Sequence, residues 1–139
     1  FIFDPYQVLE TRAAGASAVL LIVAMLEPAE LKRLIGAAGQ VELDVLVEVH
    51  DESELGEALE AGAGIVGVNN RNLKTFEVQL ETSVRIGRKV PDDVLFVAES
   101  GIQTRKDIDM LSDAGADAFL IGERLIRSPD PAKALKEML

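Results

Sequence analysis

The chain has 139 residues, with 24 acidic against 14 basic side chains, one histidine and no cysteine. A hydrophobic share of 48% beside 27% charged residues fits one soluble globular domain. The lack of cysteine excludes a disulfide scaffold and cysteine-ligated metal, one histidine leaves no His-rich metal site, and a formal charge of -10 argues against a nucleic-acid partner.

The longest apolar run, Ala18 to Leu26, is shorter than the ~20 residues that cross a bilayer, so no membrane partner is expected. No basic segment leads into an apolar stretch near Phe1, so no signal peptide is read, and the expected compartment is cytoplasmic. The opening Phe-Ile-Phe-Asp-Pro carries no initiator Met and reads as an internal stretch of something longer.

In chain order, helical and strand patterns alternate. Asp4–Ala14 reads as a helix ended by Gly15, and Val19–Val23 as a strand. Pro28–Ala38 follows as a helix ended by Gly39, then Val45–Val49 as a strand. Asp51 is placed to cap a helix over Glu52–Ala61 that stops at Gly62, and Ile65–Val68 is the third strand. Leu80–Lys89 reads as a helix stopping before Pro91, and Val94–Val97 as a strand. Thr104 and Asp107 form a capping-box pattern for Thr104–Ala114, which ends at Gly115. Phe119–Ile121 is the last strand and Pro131–Leu139 the last helix; Pro5, Pro28 and Pro131 suit first helical turns.

The phrase Ala-Gly-Ala recurs at 14–16, 61–63 and 114–116, each time between a helix and the next strand. The strands are apolar at consecutive positions, as strands buried on both faces of a parallel sheet are. This gives an α/β chain of five β/α units with a leading helix and no sign of a second domain. Two architectures accept it: part of a TIM (βα)8 barrel, which takes ~250 residues when complete, or an open flavodoxin-like parallel sheet.

In both, chemistry belongs at the carboxyl ends of the strands. The first strand ends on Ala24-Met25-Leu26 and offers no polar group. The second ends Val47-Glu48-Val49-His50-Asp51, and alternation turns Glu48 away from Val47 and Val49. A carboxylate inside so apolar a strand is either a general acid/base or one end of an ion pair. His50 reads as a capping or loop residue.

The third strand end, Asn69-Asn70-Arg71-Asn72, places Asn69 and Arg71 on the inward parity. Arg71 there is either an anion ligand or part of an Asn-rich surface turn. The fourth and fifth strands end Glu99-Ser100-Gly101 and Ile121-Gly122-Glu123. A glycine after each of two consecutive strands lets backbone N–H groups converge on an anion. These residues point to a phosphorylated small molecule and a pair of carboxylates, with neither a Gly-x-Gly-x-x-Gly nor a Walker loop.

The segments Phe1-Ile2 through Asp4-Pro5-Tyr6-Gln7, Leu20-Leu21-Ile22-Val23, Leu46-Val47-Glu48-Val49-His50, Gly67-Val68-Asn69-Asn70-Arg71-Asn72-Leu73, Ala98-Glu99-Ser100-Gly101-Ile102 and Phe119-Leu120-Ile121-Gly122-Glu123 resemble, in order, those of indole-3-glycerol phosphate synthase. The resemblance implies a (βα)8 barrel, of which residues 1–139 form one segment running from the end of strand three through helix eight. It implies that Glu48 is a catalytic carboxylate, the general base for dehydration, and that Asn69 positions the substrate. Arg71 matches a residue near the phosphate and the reactive end, Glu99 and Ser100 the pocket pair of strand seven, and Phe1 and Leu20 apolar residues against the anthranilate ring. Gly101, Gly122 and Glu123 fall in phosphate loops whose backbone amides are the donors; many relatives carry Ser where this chain has Glu123.

The implied reaction closes the ring of 1-(2-carboxyphenylamino)-1-deoxyribulose 5-phosphate, releases carbon dioxide and eliminates water, with no cofactor or metal. The general acid implied by the resemblance is a Lys in a Lys-Asp pair just ahead of the position of Phe1. Strands one and two and an N-terminal helical extension are also implied to precede it. Lys32, Lys74, Lys89, Lys106, Lys133 and Lys136 offer no replacement on a strand end; Lys74 lies in the loop after Leu73. The expectation is that these 139 residues alone do not catalyse the reaction. The alternatives are a barrel segment that only binds phosphate, or one that self-associates through exposed strands.

Overall fold

The computed structural model describes residues 1–138, so the final residue of the expected Pro131–Leu139 helix lies outside the described residues. Five strands form: Ala18–Ile22 (β1), Asp44–Val49 (β2), Ile65–Asn69 (β3), Leu95–Glu99 (β4) and Ala118–Leu120 (β5). The helices are Pro5–Ala13 (α1), Pro28–Gln40 (α2), Glu52–Ala61 (α3), Glu81–Gly87 (α4), Arg105–Asp113 (α5), Glu123–Ile126 (α6) and Pro131–Met138 (α7). Val23, read as the end of the first strand, instead opens a 3-10 turn over Val23–Met25. The short α6 carries no periodic signal in the sequence and was not expected.

Every neighbouring pair is parallel, and the strand order is β1-β2-β3-β4-β5. This order decides between the two architectures. Right-handed crossovers that always step in one direction put all the helices on one face. A flavodoxin-like sheet reverses direction once and carries helices on both faces. The open-sheet alternative therefore fails, and the chain is an arc of a (βα) barrel.

The two faces of the arc differ accordingly. On the helix side Leu21, Val47, Val49, Val66, Val68 and Ala98 are fully buried, packed with Leu31 and Leu34 of α2 and Ile86 of α4. Each such valine, leucine or isoleucine contributes ~1.5–3 kcal/mol on burial, which makes this layer the core. The inner face is apolar but open: Leu20, Leu95 and Leu120 are exposed. The strands are thus not covered on both faces as their uniform hydrophobicity implied.

The Ala-Gly-Ala phrase has one geometric explanation. At each helix end the second Ala donates its N–H back five residues: Ala16 to Thr11, Ala63 to Ala58, and Ala116 to Leu111, at 3.0–3.2 Å. The central glycines have φ of +87°, +92° and +100°. These are Schellman closures, in which a left-handed residue satisfies the last carbonyls of the helix. The α2 helix closes the same way, but not at Gly39. It runs on to Gln40, and Glu42 takes the left-handed position with φ +56° while Leu43 bonds back to Ala38. The cap expectations hold for Asp51 on α3 and for Thr104 on α5, the latter with a full capping box, while Asp4, read as the first helical residue, is instead the N-cap of α1.

Candidate active site

The register builds the site floor. Glu48 of β2 stands opposite Ile22 of β1 and Gly67 of β3, and Asn69 of β3 stands opposite Glu99 of β4. Equal parity in parallel neighbours sends these side chains to the inner face. Glu48 and Glu99 are both buried, at 5% and 3% exposure. Gly67 makes room between them: a Cβ there would lie 1.9 Å from Glu99 Oε1. Glu99 therefore reaches sideways over a bare backbone position toward Glu48.

Glu48 is held on two sides. Asn69 Nδ2 donates to Glu48 Oε1 at 2.9 Å, while Asn69 Oδ1 accepts from the Arg71 N–H at 2.9 Å. His50 Nε2 stands 3.2 Å from the same Glu48 oxygen, outside hydrogen-bond direction and so a charge contact. Its Nδ1 lies 3.1 Å from Glu54 Oε2, which also accepts from the His50 backbone N–H at 2.7 Å. His50 is thus clasped between two carboxylates. The expectation of a simple capping or loop role missed this, because Glu54 lies a helical turn further on.

The charges follow from these contacts. Burial pushes the Glu48 carboxyl up, but His50 and Asn69 outweigh it and hold it below the ordinary carboxylate range. Glu48 and then Glu54 raise the His50 imidazole to about 9 against its burial. Burial first, and the neighbouring Glu48 charge second, push Glu99 up to about 7 against the weaker pull of the His50 charge. Its Oε1 is buried without a hydrogen-bond partner among the described residues. Near neutral pH the site therefore holds an ionised Glu48, an imidazolium and a Glu99 that keeps its proton half the time.

A pH prediction arises here. The folded-state value of His50 lies above its unfolded value of 6.5, so its contribution is complete below pH 6.5 and is lost as pH rises through about 9. Across that window the stability of the chain should fall by on the order of 2–3 kcal/mol. In His50→Gln this part of a urea-denaturation series should be flat; an unchanged slope would mean that His50 is not held as an imidazolium in the fold.

Arg71, Glu99, Ser100, Gly101, Gly122 and Glu123 line one cavity of ≈ 290 Å³ at the strand ends. Arg71 spans its mouth, donating from Nη2 to Glu123 Oε2 at 2.7 Å, and Arg127 meets the other Glu123 oxygen at 3.3 Å. Phe1 and Leu20 come together elsewhere, in an apolar depression of ≈ 400 Å³ along β1 with Ile22 and Met25. Of the three asparagines after Val68, Asn69 and Asn72 each serve a local turn through Oδ1, Asn69 accepting from the Arg71 N–H and Asn72 from the Lys74 and Thr75 N–H groups. Among the described residues no group of three or more His, Asp or Glu is arranged to hold a metal ion, and no helix is long and apolar enough to cross a membrane.

Singly wound β/α units define an arc of a (βα) barrel, here with paired carboxylates beside a two-glycine cavity at its strand ends. Comparison with known proteins agrees. Thiamine phosphate pyrophosphorylase from Pyrococcus furiosus superposes with a TM-score of 0.74 at 23% identity, over 94% of this chain and 61% of that one. The citrate synthase SbnG gives 0.70 at 17% identity, over 99% and 68%. Both likenesses concern the fold. The model of the family indole-3-glycerol phosphate synthase matches residues 1–138. The synthase of Koribacter versatilis is 52% identical over 139 residues, covering 100% of this chain and 54% of its own. That of Albidiferax ferrireducens is 51% identical over 138 residues, covering 99% and 52%. The chain belongs to the indole-3-glycerol phosphate synthase family and spans about half the length of the curated relatives it matches.

Proposed function

We propose that this chain carries the proton-transfer and phosphate-holding side of an indole-3-glycerol phosphate synthase site. The observation that carries the reading is the gathering of Arg71, Glu99, Ser100, Gly101, Gly122 and Glu123 around one cavity, with Glu48 beside it on the floor. The substrate is 1-(2-carboxyphenylamino)-1-deoxyribulose 5-phosphate. Its phosphate takes the Gly101 and Gly122 amides, with Arg71 exchanging Glu123 for the incoming anion. Its anthranilate ring extends along β1 toward Leu20 and Phe1.

In this reading the ring carbon bearing the carboxylate attacks the ribulose carbonyl, which a lysine ahead of Phe1 protonates. Carbon dioxide leaves, and dehydration completes the indole. Glu48 is ionised and takes the proton lost in that last step. Glu99, with an unpartnered oxygen and a value near neutrality, donates to the departing hydroxyl. Asn69 fixes Glu48 and, through the Arg71 backbone, ties its position to the phosphate end.

The test is a chimera that joins residues 1–139 behind the preceding segment of the Koribacter versatilis relative. The chimera should produce fluorescent indole product, whereas residues 1–139 alone should not. Glu48→Gln in the chimera should lower turnover by ~10²–10⁴ while leaving the fold intact. A folded but inactive chimera would contradict the assignment, as would full activity in Glu48→Gln or in the 139 residues alone.

A further inference from the structure

Asn70 carries no role in the reaction just described, yet it is 2% exposed and all of its polar groups are engaged. Its backbone N–H donates to the Glu99 carbonyl at 2.9 Å, and its own carbonyl accepts from the Gln79 N–H at 2.9 Å. Its Oδ1 accepts from the N–H of the buried Ser83 in α4 at 3.0 Å. Its Nδ2 donates to the Ser100 carbonyl at 3.1 Å. One asparagine thus ties the end of β3, the start of α4 and the loop after β4.

The last of these bonds acts on the peptide between Ser100 and Gly101. Both residues are left-handed, with φ of +64° and +78°. For Ser100 that conformation is disfavoured and persists only where surroundings enforce it. A trans peptide is planar, so its carbonyl and its N–H point in opposite directions. Asn70 draws the Ser100 carbonyl inward, and the Gly101 N–H is thereby turned away from Asn70. That N–H has no acceptor among the described residues, and Gly101 lines the ≈ 290 Å³ cavity. Packing holds the loop from the same side: a Cβ on Gly101 would lie 2.3 Å from Val78 Cγ1.

We propose that Asn70 is a positioning residue for anion binding, its carboxamide holding the Ser100 carbonyl so that the Gly101 N–H faces the cavity. The inference rests on the phosphate reading above and adds the residue that presents the donor. Asn70→Asp is the discriminating variant. It keeps the acceptor for Ser83 but sets a carboxylate oxygen against the Ser100 carbonyl in place of the donor. Ser83→Ala is the control, since it loses the Ser83 hydroxyl bond to the Val68 carbonyl in the same buried junction.

The experiment titrates the ¹⁵N-labelled protein with inorganic phosphate and follows amide shifts, with thermal melts of each variant. The expected result has the Gly101 resonance among those that move most in the wild type. Phosphate affinity should be at least tenfold weaker in Asn70→Asp and within about twofold of wild type in Ser83→Ala. Phosphate binding by wild type and Asn70→Asp with equal affinity would overturn the inference and leave the phosphate site standing. No response in the wild type would overturn both. If Asn70→Asp does not fold, the wild-type titration decides: a Gly101 amide unmoved while other amides respond overturns the proposal.

Discussion

Glu99→Gln should make the chain more stable at pH 8 by on the order of 2–3 kcal/mol and leave it nearly unchanged at pH 5. The sign follows from the direction of the shift. Glu99 rises from an ordinary 4.5 to about 7 in the fold, because burial and the Glu48 charge penalise its ionised form. A carboxyl with a raised folded-state value contributes fully below pH 4.5, and that contribution is lost as pH climbs through about 7. Glutamine is the neutral isostere of the protonated acid, so it removes the cost of forcing a second negative charge beside Glu48. Glu48 behaves oppositely: its value is lowered, so its contribution is lost as pH falls below the ordinary carboxylate range. Urea denaturation at a series of pH values measures both. A Glu99→Gln variant no more stable than wild type at pH 8 would mean that the two carboxylates do not oppose one another.

Gly67→Ala should damage the site more than its size implies. The added methyl would sit 1.9 Å from Glu99 Oε1, 2.9 Å from Glu99 Cδ and 3.2 Å from Leu46 Cδ1, so the carboxylate must leave its place over β3. Overpacking of this kind costs ~1–3 kcal/mol of stability. Displacing a reacting group by about an ångström commonly costs ~10² in rate, and that loss is expected in the active chimera. The variant should also lose the wild-type fall in stability between pH 5 and 7, since a displaced Glu99 no longer faces Glu48. A Gly67→Ala chimera with wild-type turnover would show that Glu99 needs no fixed position.

Much of this arrangement was legible in the residues because it rests on parity and on glycine. Glu48 interrupts a run of valines at an inward position, and the register carries it to the same face as Gly67, Asn69 and Glu99. The recurrent Ala-Gly-Ala marked true helix closures at 15, 62 and 115. The same rule misplaced the end of α2, since Gly39 stayed helical and a glutamate took the left-handed turn.

What pairing hides was not legible. His50 gains its charge from Glu48 and from Glu54 a helical turn on, and Asn70 bonds Ser83 and Ser100, thirteen and thirty residues away. Nor could local composition separate Asn69, whose Nδ2 donates to Glu48 on the neighbouring strand, from Asn72, whose Oδ1 serves the turn that follows it. The exposed leucines of the inner face follow from strand order: sequential winding puts every helix on the other side.

Glu48 and Glu99, side by side across Gly67, split their titrations, so that near neutral pH Glu48 is ionised while Glu99 keeps its proton half the time. Carboxyl-carbon NMR of the protein labelled at glutamate tests it most directly, with Glu99→Gln and Glu48→Gln providing the assignments. The expected result is one resonance titrating near pH 7 that disappears in Glu99→Gln, and one below the ordinary range that disappears in Glu48→Gln. Both carboxyls titrating together in the ordinary range, near pH 4.5, would contradict it.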